Sequence, residues 1–308
     1  MCLYPKLIRN KRYCPTKKNG GKVPFCIDTS VLYVPAECGK CWECRKKKAR
    51  SWQIRLTEES KTNEASFVTM TFNDEALNKF TNDNKNYDEC NKVAKRALRL
   101  CLERIRKETG KSIRHWFTTE LGEENDRIHL HGIIWGKDAA VQLAKHWKYG
   151  YLYIGWVTSK SISYVTKYML KNDEKHKGYV PIVLCSPGIG SSWLNTTNAK
   201  RCKFNGEYTK EEYIYPDGHK SDLPVYYRDK LYTDDEREIL FSNKIKKGYI
   251  WISGQKVRTS DIRKIVELKE AAQQKAISIH NDDPQEWKRK KYAQRFEHIN
   301  NISKVFEI

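Results

Sequence analysis

The feature that most constrains the fold is a pair of apolar segments separated by a short polar stretch. His115–Glu120 and Ile128–Trp135 are rich in β-branched and aromatic residues, which favour β-strands. Leu121–Arg127, which lies between them, is polar and contains a glycine, as connections between adjacent antiparallel strands often do. We therefore predict an antiparallel hairpin, whose apolar face must be covered by other elements.

Strands and helices alternate on both sides of this hairpin. Strands are predicted over Ser66–Phe72 and Tyr151–Val157, where β-branched and aromatic residues are again enriched. Helices are predicted over four ranges: Cys41–Glu59, Glu89–Glu108, Asp138–Trp147 and Ser159–Asn172. From the first of these strands onward the order is β-α-β-β-α-β-α. This order predicts an α+β fold with a central antiparallel sheet flanked by helices.

The charge of the chain indicates the class of partner. It has 58 Lys and Arg against 38 Asp and Glu, a net charge of +20. A surplus this large usually indicates a polyanion, most often nucleic acid, and not merely a solvated surface. No apolar run is long enough for a membrane helix, and Met1–Lys6 lacks the apolar stretch of a signal peptide. We therefore expect a reducing cytoplasm, where the ten cysteines are thiols or metal ligands.

The sequence divides into three segments. Residues 1–60 form a cysteine-rich segment that ends in a basic helix, and residues 61–175 contain the α+β core. Residues 176–308 give weaker signals, with helices predicted over Thr259–Ile279 and Pro284–Ile302. We expect this largely helical extension to bind DNA or to pack on the core.

The second strand of the hairpin carries the first candidate site. His129 and His131 are two residues apart, so on a strand their side chains share one face, while Leu130 points into the core. Glu120 on the partner strand would lie beside them. Two imidazoles and a carboxylate can bind a metal ion and leave positions open, and Mg²⁺ or Mn²⁺ would suit phosphate chemistry. The alternative is a pair of ordinary histidines on an apolar strand.

The helix predicted from Ser159 carries the second candidate site. At about 100° per residue, one arc of the helix presents two phenols and two ammonium groups: Tyr164, Lys167, Tyr168 and Lys171. An apolar stripe of Ile162, Val165 and Met169 lies on the far side. A phenol is a weak nucleophile at neutral pH, so it needs an activated phosphate, which a metal and adjacent lysines could provide. The alternative is a pair of half-buried tyrosines with solvated lysines.

Closely spaced cysteines form a third candidate site. Cys38, Cys41 and Cys44 are spaced by three residues, which is compatible with a structural Zn²⁺ if a fourth ligand completes the set. Three candidates for that ligand remain open: Cys26, Cys14 and Cys2. Alternatively, these cysteines are ordinary buried thiols.

These motifs, in their order, resemble those of the HUH endonucleases. The resemblance is closest to the rolling-circle replication initiation proteins of microviruses, in particular the gokushovirus type. It rests on three core motifs: Phe67–Phe72, Glu120 with His129–His131, and Tyr164–Tyr168. Three further stretches also resemble that family: Cys38–Arg45, Ser186–Gly190 and Leu223–Arg228.

The resemblance implies a function and its partners. The protein would nick the viral origin, become linked to the 5′ phosphate through Tyr164 or Tyr168 with Lys167 assisting, and later rejoin the displaced single strand. Glu120, His129 and His131 would hold Mg²⁺ or Mn²⁺. Because no Walker A loop is present, a host helicase would unwind the DNA and a host polymerase would extend it. The place of action would be the cytoplasm of the bacterial host cell.

Two other functions remain open from the sequence. One is a zinc-containing DNA-binding protein without catalysis, in which the tyrosines are structural. The other is a different HUH enzyme, a relaxase or a transposase. Which tyrosine acts first, and which origin sequence is cut, are also left open.

Overall fold

The computed structural model describes residues 1–80, 87–122, 126–171, 175–176 and 179–305. Contacts divide the chain into two compact units. We call Lys48–Thr196 the sheet unit, and Met1–Lys47 together with Thr197–Ile308 the cysteine unit. The division into the three segments 1–60, 61–175 and 176–308 stays a prediction.

The strands are β1 (Lys6–Arg9), β2 (Tyr33–Ala36), β3 (Ala65–Met70), β4 (Arg114–Leu121), β5 (Ile128–Trp135), β6 (Leu152–Trp156), β7 (Val183–Cys185), β8 (Glu212–Ile214), β9 (Lys220–Asp222), β10 (Tyr249–Ile252) and β11 (Gln255–Arg258). The helices are α1 (Trp42–Thr62), α2 (Asp74–Phe80), α3 (Tyr87–Thr109), α4 (Ala139–His146), α5 (Ser159–Lys167), α6 (Thr197–Arg201), α7 (Val225–Leu231), α8 (Asp234–Lys246), α9 (Ile262–His280) and α10 (Arg289–Val305). The mixture of helices and antiparallel strands confirms the predicted α+β class.

A five-stranded antiparallel sheet forms the centre of the sheet unit. Its strand order is β6-β3-β5-β4-β7. The predicted hairpin is confirmed: β4 pairs with β5 over its whole length, from Arg114 opposite Trp135 to Leu121 opposite Ile128. Because side chains alternate between the two faces of a strand, this register decides which residues can meet.

Helices cover both faces of this sheet. One face packs against α3 and α4 through a large apolar cluster that includes Met70, Leu130 and Ile134. The opposite face packs against α1 and α5, where Leu56 and Val165 belong to one apolar cluster. The sequence pattern predicted flanking helices, and in the structure two of them lie on each face.

The loop after β7 is attached to the sheet by a buried carboxylate. Glu59 of α1 accepts hydrogen bonds from the Arg114 guanidinium and from the backbone N–H of Gly190 at 2.6 Å. Arg114 also donates to the carbonyl oxygen of Gly188 at 2.9 Å. Burial opposes ionisation of Glu59, but these hydrogen bonds outweigh it and lower the pKa of the carboxyl group. The contacts give the Ser186–Gly190 motif a structural role.

Helix α5 ends earlier than the sequence predicts. The helix was expected to reach Asn172, which lies outside the described residues, but it ends at Lys167. The next backbone bonds run from Met169 N–H to Thr166 O and from Leu170 N–H to Lys167 O, a tighter spacing than that of an α-helix. This tightening carries the chain away from the helix axis before Lys171.

The cysteine unit contains three two-stranded ribbons, β1-β2, β8-β9 and β10-β11. Helix α10 begins at Arg289 and not at Pro284, as the sequence predicts. Asn281 is left-handed, with a φ of 48°, and Asp282 binds the backbone N–H of Trp42 at 2.9 Å. These two residues commit the chain before Pro284 to an irregular conformation. No helix among the described residues is both long and apolar enough to cross a membrane.

Candidate active site

The three predicted metal ligands lie on one face of the central sheet. Glu120 of β4 is directly opposite His129 of β5, and His131 is two residues further along β5. The two imidazole rings are roughly parallel, with centroids 6.2 Å apart. This is the face covered by α5. The register therefore brings together the three residues that the sequence predicted.

Glu120 is held in its ionised form by two donors. Its Oε2 lies 2.9 Å from His131 Nε2, and its Oε1 lies 2.7 Å from Lys171 Nζ. Burial opposes ionisation of Glu120, but the hydrogen bonds from His131 and Lys171 outweigh this effect and lower the pKa of the carboxyl group. The carboxylate is therefore available as a ligand at neutral pH.

His129 is held in its neutral form. Burial, followed by the nearby charge of His131, lowers the pKa of His129. A neutral imidazole keeps a lone pair for a metal ion. The ring lies against Gly122, where an added Cβ would come within 2.8 Å of His129 Cε1. The glycine thus provides the space in which this imidazole lies.

Thr69 is a site residue that the sequence patterns did not single out. Its Oγ1 lies 3.0 Å from His131 Nδ1, and Thr69 is directly opposite His131 in the pairing of β3 with β5. One ring nitrogen of His131 therefore faces Thr69 and the other faces Glu120. A hydroxyl on an otherwise apolar strand was the available signal, but its use required knowing that β3 neighbours β5.

The two tyrosines of the predicted nucleophile motif lie over the histidines. The Tyr168 ring stacks on His131, with centroids 4.3 Å apart and planes 11° apart. Tyr164 meets His131 edge-on at 6.2 Å, and 48% of Tyr164 is exposed. The Tyr168 hydroxyl donates a hydrogen bond to the Tyr164 hydroxyl. The structure therefore brings both phenols to the face that carries Glu120, His129 and His131.

The two lysines of the tyrosine helix take different positions. Lys167, which the sequence placed closest in role to the tyrosines, is an exposed residue at the end of α5. Lys171 follows the tightened turn and contacts Glu120. The sequence placed both on one helical arc, but the end of the helix separates them.

A row of aromatic rings connects the tyrosines with the edge of the sheet. Phe67 lies between Tyr164, at a centroid distance of 6.0 Å, and Tyr153, at 6.2 Å. Tyr153 belongs to β6, the edge strand, and is 50% exposed. The solvent-exposed rings of Tyr153 and Tyr164 are suitable for stacking with unpaired bases.

The donor types of the sheet face fit a divalent cation: one ionised carboxylate, one neutral imidazole and a second imidazole fixed by Thr69. Their ligand atoms are not drawn together as closely as those of a second group. Within the described ranges, four cysteines bring their sulfur atoms within 4.8 Å of one another: Cys2, Cys38, Cys41 and Cys44. Of the three candidates for the fourth cysteine, the structure selects Cys2. The group is compatible with a structural metal such as Zn²⁺.

Comparisons with known proteins agree with this arrangement. A family of replication-associated proteins, described as the ORF2 type, matches residues 65–173, which contain β3, β4, β5 and α5. "Replication-associated protein VP4" of Bdellovibrio phage phiMH2K is 27% identical over 217 residues, covering 62% of this chain and 66% of that protein. "Replication-associated protein ORF4" of Chlamydia phage 1 is 23% identical over 247 residues, covering 69% of this chain and 58% of that protein. The chain thus spans about two thirds or less of these relatives.

No solved structure matches the chain. The family match includes all six predicted site residues, from Glu120 to Tyr168. The sheet unit is therefore similar, in the region that carries the candidate site, to replication-associated proteins of phages.

Proposed function

We propose that this chain initiates replication of a circular viral DNA by nicking one strand at the origin with a tyrosine nucleophile. The protein becomes linked to the 5′ phosphate and later rejoins the displaced single strand. One observation carries the proposal: two hydrogen-bonded phenols lie over a carboxylate and two imidazoles, with Tyr168 stacked on His131 at 4.3 Å. A structural tyrosine pair would not need a polar sheet face beneath it.

Glu120, His129 and His131 are the residues that would hold Mg²⁺ or Mn²⁺. When bound, such an ion polarises a phosphate oxygen and makes phosphorus a better electrophile. Thr69 fixes the orientation of the His131 ring through its 3.0 Å contact. Lys171 holds the second oxygen of Glu120. The neighbours of the ligands therefore fix their orientation, as is common around metal sites.

The covalent step exchanges one phosphate ester for another. A phenol oxygen attacks phosphorus, the bond from phosphorus to the 3′ oxygen breaks, and the 3′ oxygen takes up a proton to become a free hydroxyl. The phenol loses its proton in the same step. Because Tyr168 donates to Tyr164, a proton can pass from one phenol to the other. Exposed Lys167 would stabilise charge on the phosphate oxygens.

The number of ester bonds does not change in this step, so it can run backwards. A free 3′ hydroxyl that attacks the phosphotyrosine restores the DNA strand and releases the tyrosine. Tyr164 and Tyr168 lie one helical turn apart, so either can serve as nucleophile, and they can act in turn. This supports joining as well as nicking.

The substrate would be single-stranded DNA at the nick. A net charge of +20 favours a polyanion, and exposed Tyr153 and Tyr164 offer rings on which bases can stack. A host helicase and a host polymerase are the proposed partners, and the cytoplasm of the bacterial host cell is the proposed place of action.

The test is formation of a covalent adduct. Single-stranded oligonucleotides that tile the DNA circle encoding the chain are incubated with the protein and Mn²⁺ or Mg²⁺, then separated in denaturant. We expect one oligonucleotide to give a denaturant-resistant adduct with the unaltered protein. Tyr164→Phe combined with Tyr168→Phe should abolish the adduct, whereas Tyr208→Phe, at an 82% exposed tyrosine, should not.

Other outcomes would favour the alternatives. A normal adduct from the double variant would show that the nucleophile is a different residue. If no adduct forms with any metal, although the oligonucleotides bind, a zinc-containing DNA-binding protein without catalysis is favoured. The four converging cysteines are the observation that keeps this second candidate. Cleavage of transfer origins or transposon ends, and not of the tiled oligonucleotides, would favour a relaxase or a transposase.

A further inference from the structure

Four cysteines converge in the cysteine unit, which contains none of the residues proposed for catalysis. Cys38, Cys41 and Cys44 lie around the start of α1, and Cys2 comes from the segment before β1. The sulfur atoms all lie within 4.8 Å of one another, and those of Cys38 and Cys44 are 3.9 Å apart. Three of the residues are buried and Cys38 is half-buried. Gly39, with a φ of 75°, allows the chain to turn between Cys38 and Cys41.

Backbone amides point at the sulfur atoms. The N–H of Leu3 donates to Cys41 Sγ at 3.4 Å, that of Cys38 to Cys2 Sγ at 3.3 Å, and that of Cys41 to Cys38 Sγ at 3.4 Å. A neutral thiol is a weak acceptor, whereas a charged sulfur accepts more strongly. Three such bonds in one cluster therefore favour thiolates, the form in which cysteine binds metals.

A buried lysine lies next to the cluster. Only 1% of Lys269 is exposed, and its Nζ donates to the carbonyl oxygen of Cys2 at 2.7 Å. Burial lowers the pKa of Lys269 to about 8, and the nearby Cys2, Cys41 and Cys44 sulfurs oppose this shift. A cation in an otherwise apolar environment is costly unless negative charge lies close by. Thiolates beside it provide that charge.

The distances separate a single metal ion from the other states of four cysteines. A disulfide needs sulfur atoms about 2.05 Å apart, and all ten cysteines are free. An iron–sulfur cluster binds its cysteines through different iron atoms, which spreads their sulfurs further apart. Tetrahedral Zn²⁺ with Zn–S bonds of about 2.3 Å requires sulfur atoms about 3.8 Å apart, close to the 3.9 Å between Cys38 and Cys44.

We propose that Cys2, Cys38, Cys41 and Cys44 bind one Zn²⁺ as a closed tetrathiolate site, and that Lys269 offsets its negative charge. With four protein ligands, the ion has no open position for a substrate, so the site is structural. It ties the segment around Cys2 to the start of α1, beside Lys269 of α9. The proposal is independent of the nicking activity.

Metal content and cobalt spectra test the ligand set. The full chain, purified without chelators, should contain about one Zn²⁺ per molecule. After exchange with Co²⁺ it should show thiolate-to-cobalt charge transfer and the strong visible bands of tetrahedral cobalt. Cys2→Ser and Cys41→Ser should each lose or shift these bands, whereas Cys14→Ser and Cys26→Ser should keep them. Tyr164→Phe with Tyr168→Phe should also keep them, which separates this test from that of the nuclease.

Several results would overturn the proposal. These are iron with inorganic sulfide in the purified protein, a disulfide between any of the four cysteines, or unchanged cobalt bands in Cys2→Ser. Because a cysteine variant can fold poorly, the zinc affinity of the unaltered chain is also measured against a chromophoric chelator. An affinity too weak to compete with that chelator would count against a structural site.

The role of Lys269 has its own readout. Lys269→Met should keep the tetrahedral cobalt bands, because the ligands are unchanged, but should lower zinc affinity by about tenfold or more, as is typical for residues that support metal ligands. Lys275→Met, at an exposed position on the same helix, is the matched control and should bind zinc normally. Equal affinities in the two variants would remove Lys269 from the proposal.

Discussion

The sheet unit and the cysteine unit hold their folds together by different means. The sheet unit is one continuous stretch of sequence, with five paired strands and apolar clusters on both faces. The cysteine unit joins two stretches that are far apart in the sequence, and its strands form two-stranded ribbons. Isolated ribbons of this kind are marginally stable in water, so the cysteine unit depends more on specific cross-links.

Some of these cross-links are buried side chains that bind backbone carbonyls. Lys269 donates to Cys2 O at 2.7 Å and Gln273 donates to Leu3 O at 2.8 Å. Both run from α9 to the segment before β1. The comparison indicates that a continuous sheet suits a site that needs fixed geometry, whereas a unit assembled from distant segments benefits from a metal.

The largest expected effect is that of removing the proposed zinc. Binding of a structural Zn²⁺ contributes on the order of 10 kcal/mol to folding, so a strong chelator should open the cysteine unit and spare the sheet unit. Hydrogen exchange followed by mass spectrometry should show faster exchange in β1, β2 and α9, and unchanged exchange in β3, β4 and β5. Equal loss of protection in both units, or no change in either, would contradict this contrast between the units.

The next effect concerns the sheet unit alone. Glu59→Gln removes the buried negative charge that pairs with Arg114 and should reduce the free energy of unfolding by about 3–5 kcal/mol. Glu103→Gln, which removes a half-exposed ion pair with Arg99, should cost less than about 1 kcal/mol. Denaturation monitored by exchange in β4 and β5 measures both. A similar cost for the two variants would mean that the buried pair is not what fixes the loop at Gly190.

The pH dependence of this effect follows from the lowered pKa of Glu59. A carboxyl group whose pKa is lower in the folded state stabilises the fold above its unfolded pKa, about 4.3. That stabilisation is lost as the pH falls through the folded pKa. The difference between the unaltered chain and Glu59→Gln should therefore be largest near pH 7 and shrink below pH 4. A difference that grows with acidity would refute this sign.

Two glycines of the hairpin should respond in opposite ways. A Cβ at Gly132 would collide with the carbonyl oxygen of Trp116 and the ring of Phe117, so Gly132→Ala should cost about 1–3 kcal/mol of stability. A Cβ at Gly122 would meet only the His129 ring and the carbonyl oxygen of Arg127. Gly122→Ala should therefore leave stability nearly unchanged while lowering the rate of adduct formation by about tenfold or more.

Thermal unfolding and adduct kinetics of the two glycine variants separate these effects. A fully active Gly122→Ala would show that the position of the His129 ring does not matter for the reaction. A stable but inactive Gly132→Ala would mean that the sheet adapts more readily than its packing indicates.

The smallest expected effect is on DNA binding. Tyr153→Ala should weaken binding of single-stranded DNA by about 1 kcal/mol, the lower end of base stacking on an aromatic ring. Trp251→Ala, at a 55% exposed aromatic residue of the cysteine unit, is the control and should bind normally. Fluorescence anisotropy at fixed salt measures both. If only Trp251→Ala weakens binding, the stacking surface lies in the cysteine unit.

Local patterns predicted much of the sheet unit. Ile128–Trp135 is observed with the predicted bounds, and the pairing of Glu120 with His129 follows from the hairpin. Period-two alternation and a short connection fix both, because they act over a few residues. The contacts of Thr69 and Lys171 could not be predicted in this way, because one depends on strand order and the other on where α5 ends.

The cysteine unit was harder to predict. The spacing of Cys38, Cys41 and Cys44 indicated a metal site, but the choice of Cys2 over Cys14 and Cys26 depends on long-range packing. The same holds for the pairing of residues 1–47 with 197–308, since no local pattern reports which distant segments meet. Sequence reasoning succeeded where neighbouring residues decide the structure.

The hydrogen bond between Tyr168 and Tyr164 has a consequence for the order of events in the proposed reaction. A hydroxyl that has become a phosphate ester has no proton left to donate. Once Tyr168 is esterified, the bond it donates to Tyr164 is lost, and the Tyr164 hydroxyl becomes available to a second phosphate. The first cut would thus release the second nucleophile, which would make the pair a counter that records whether one strand end is already held.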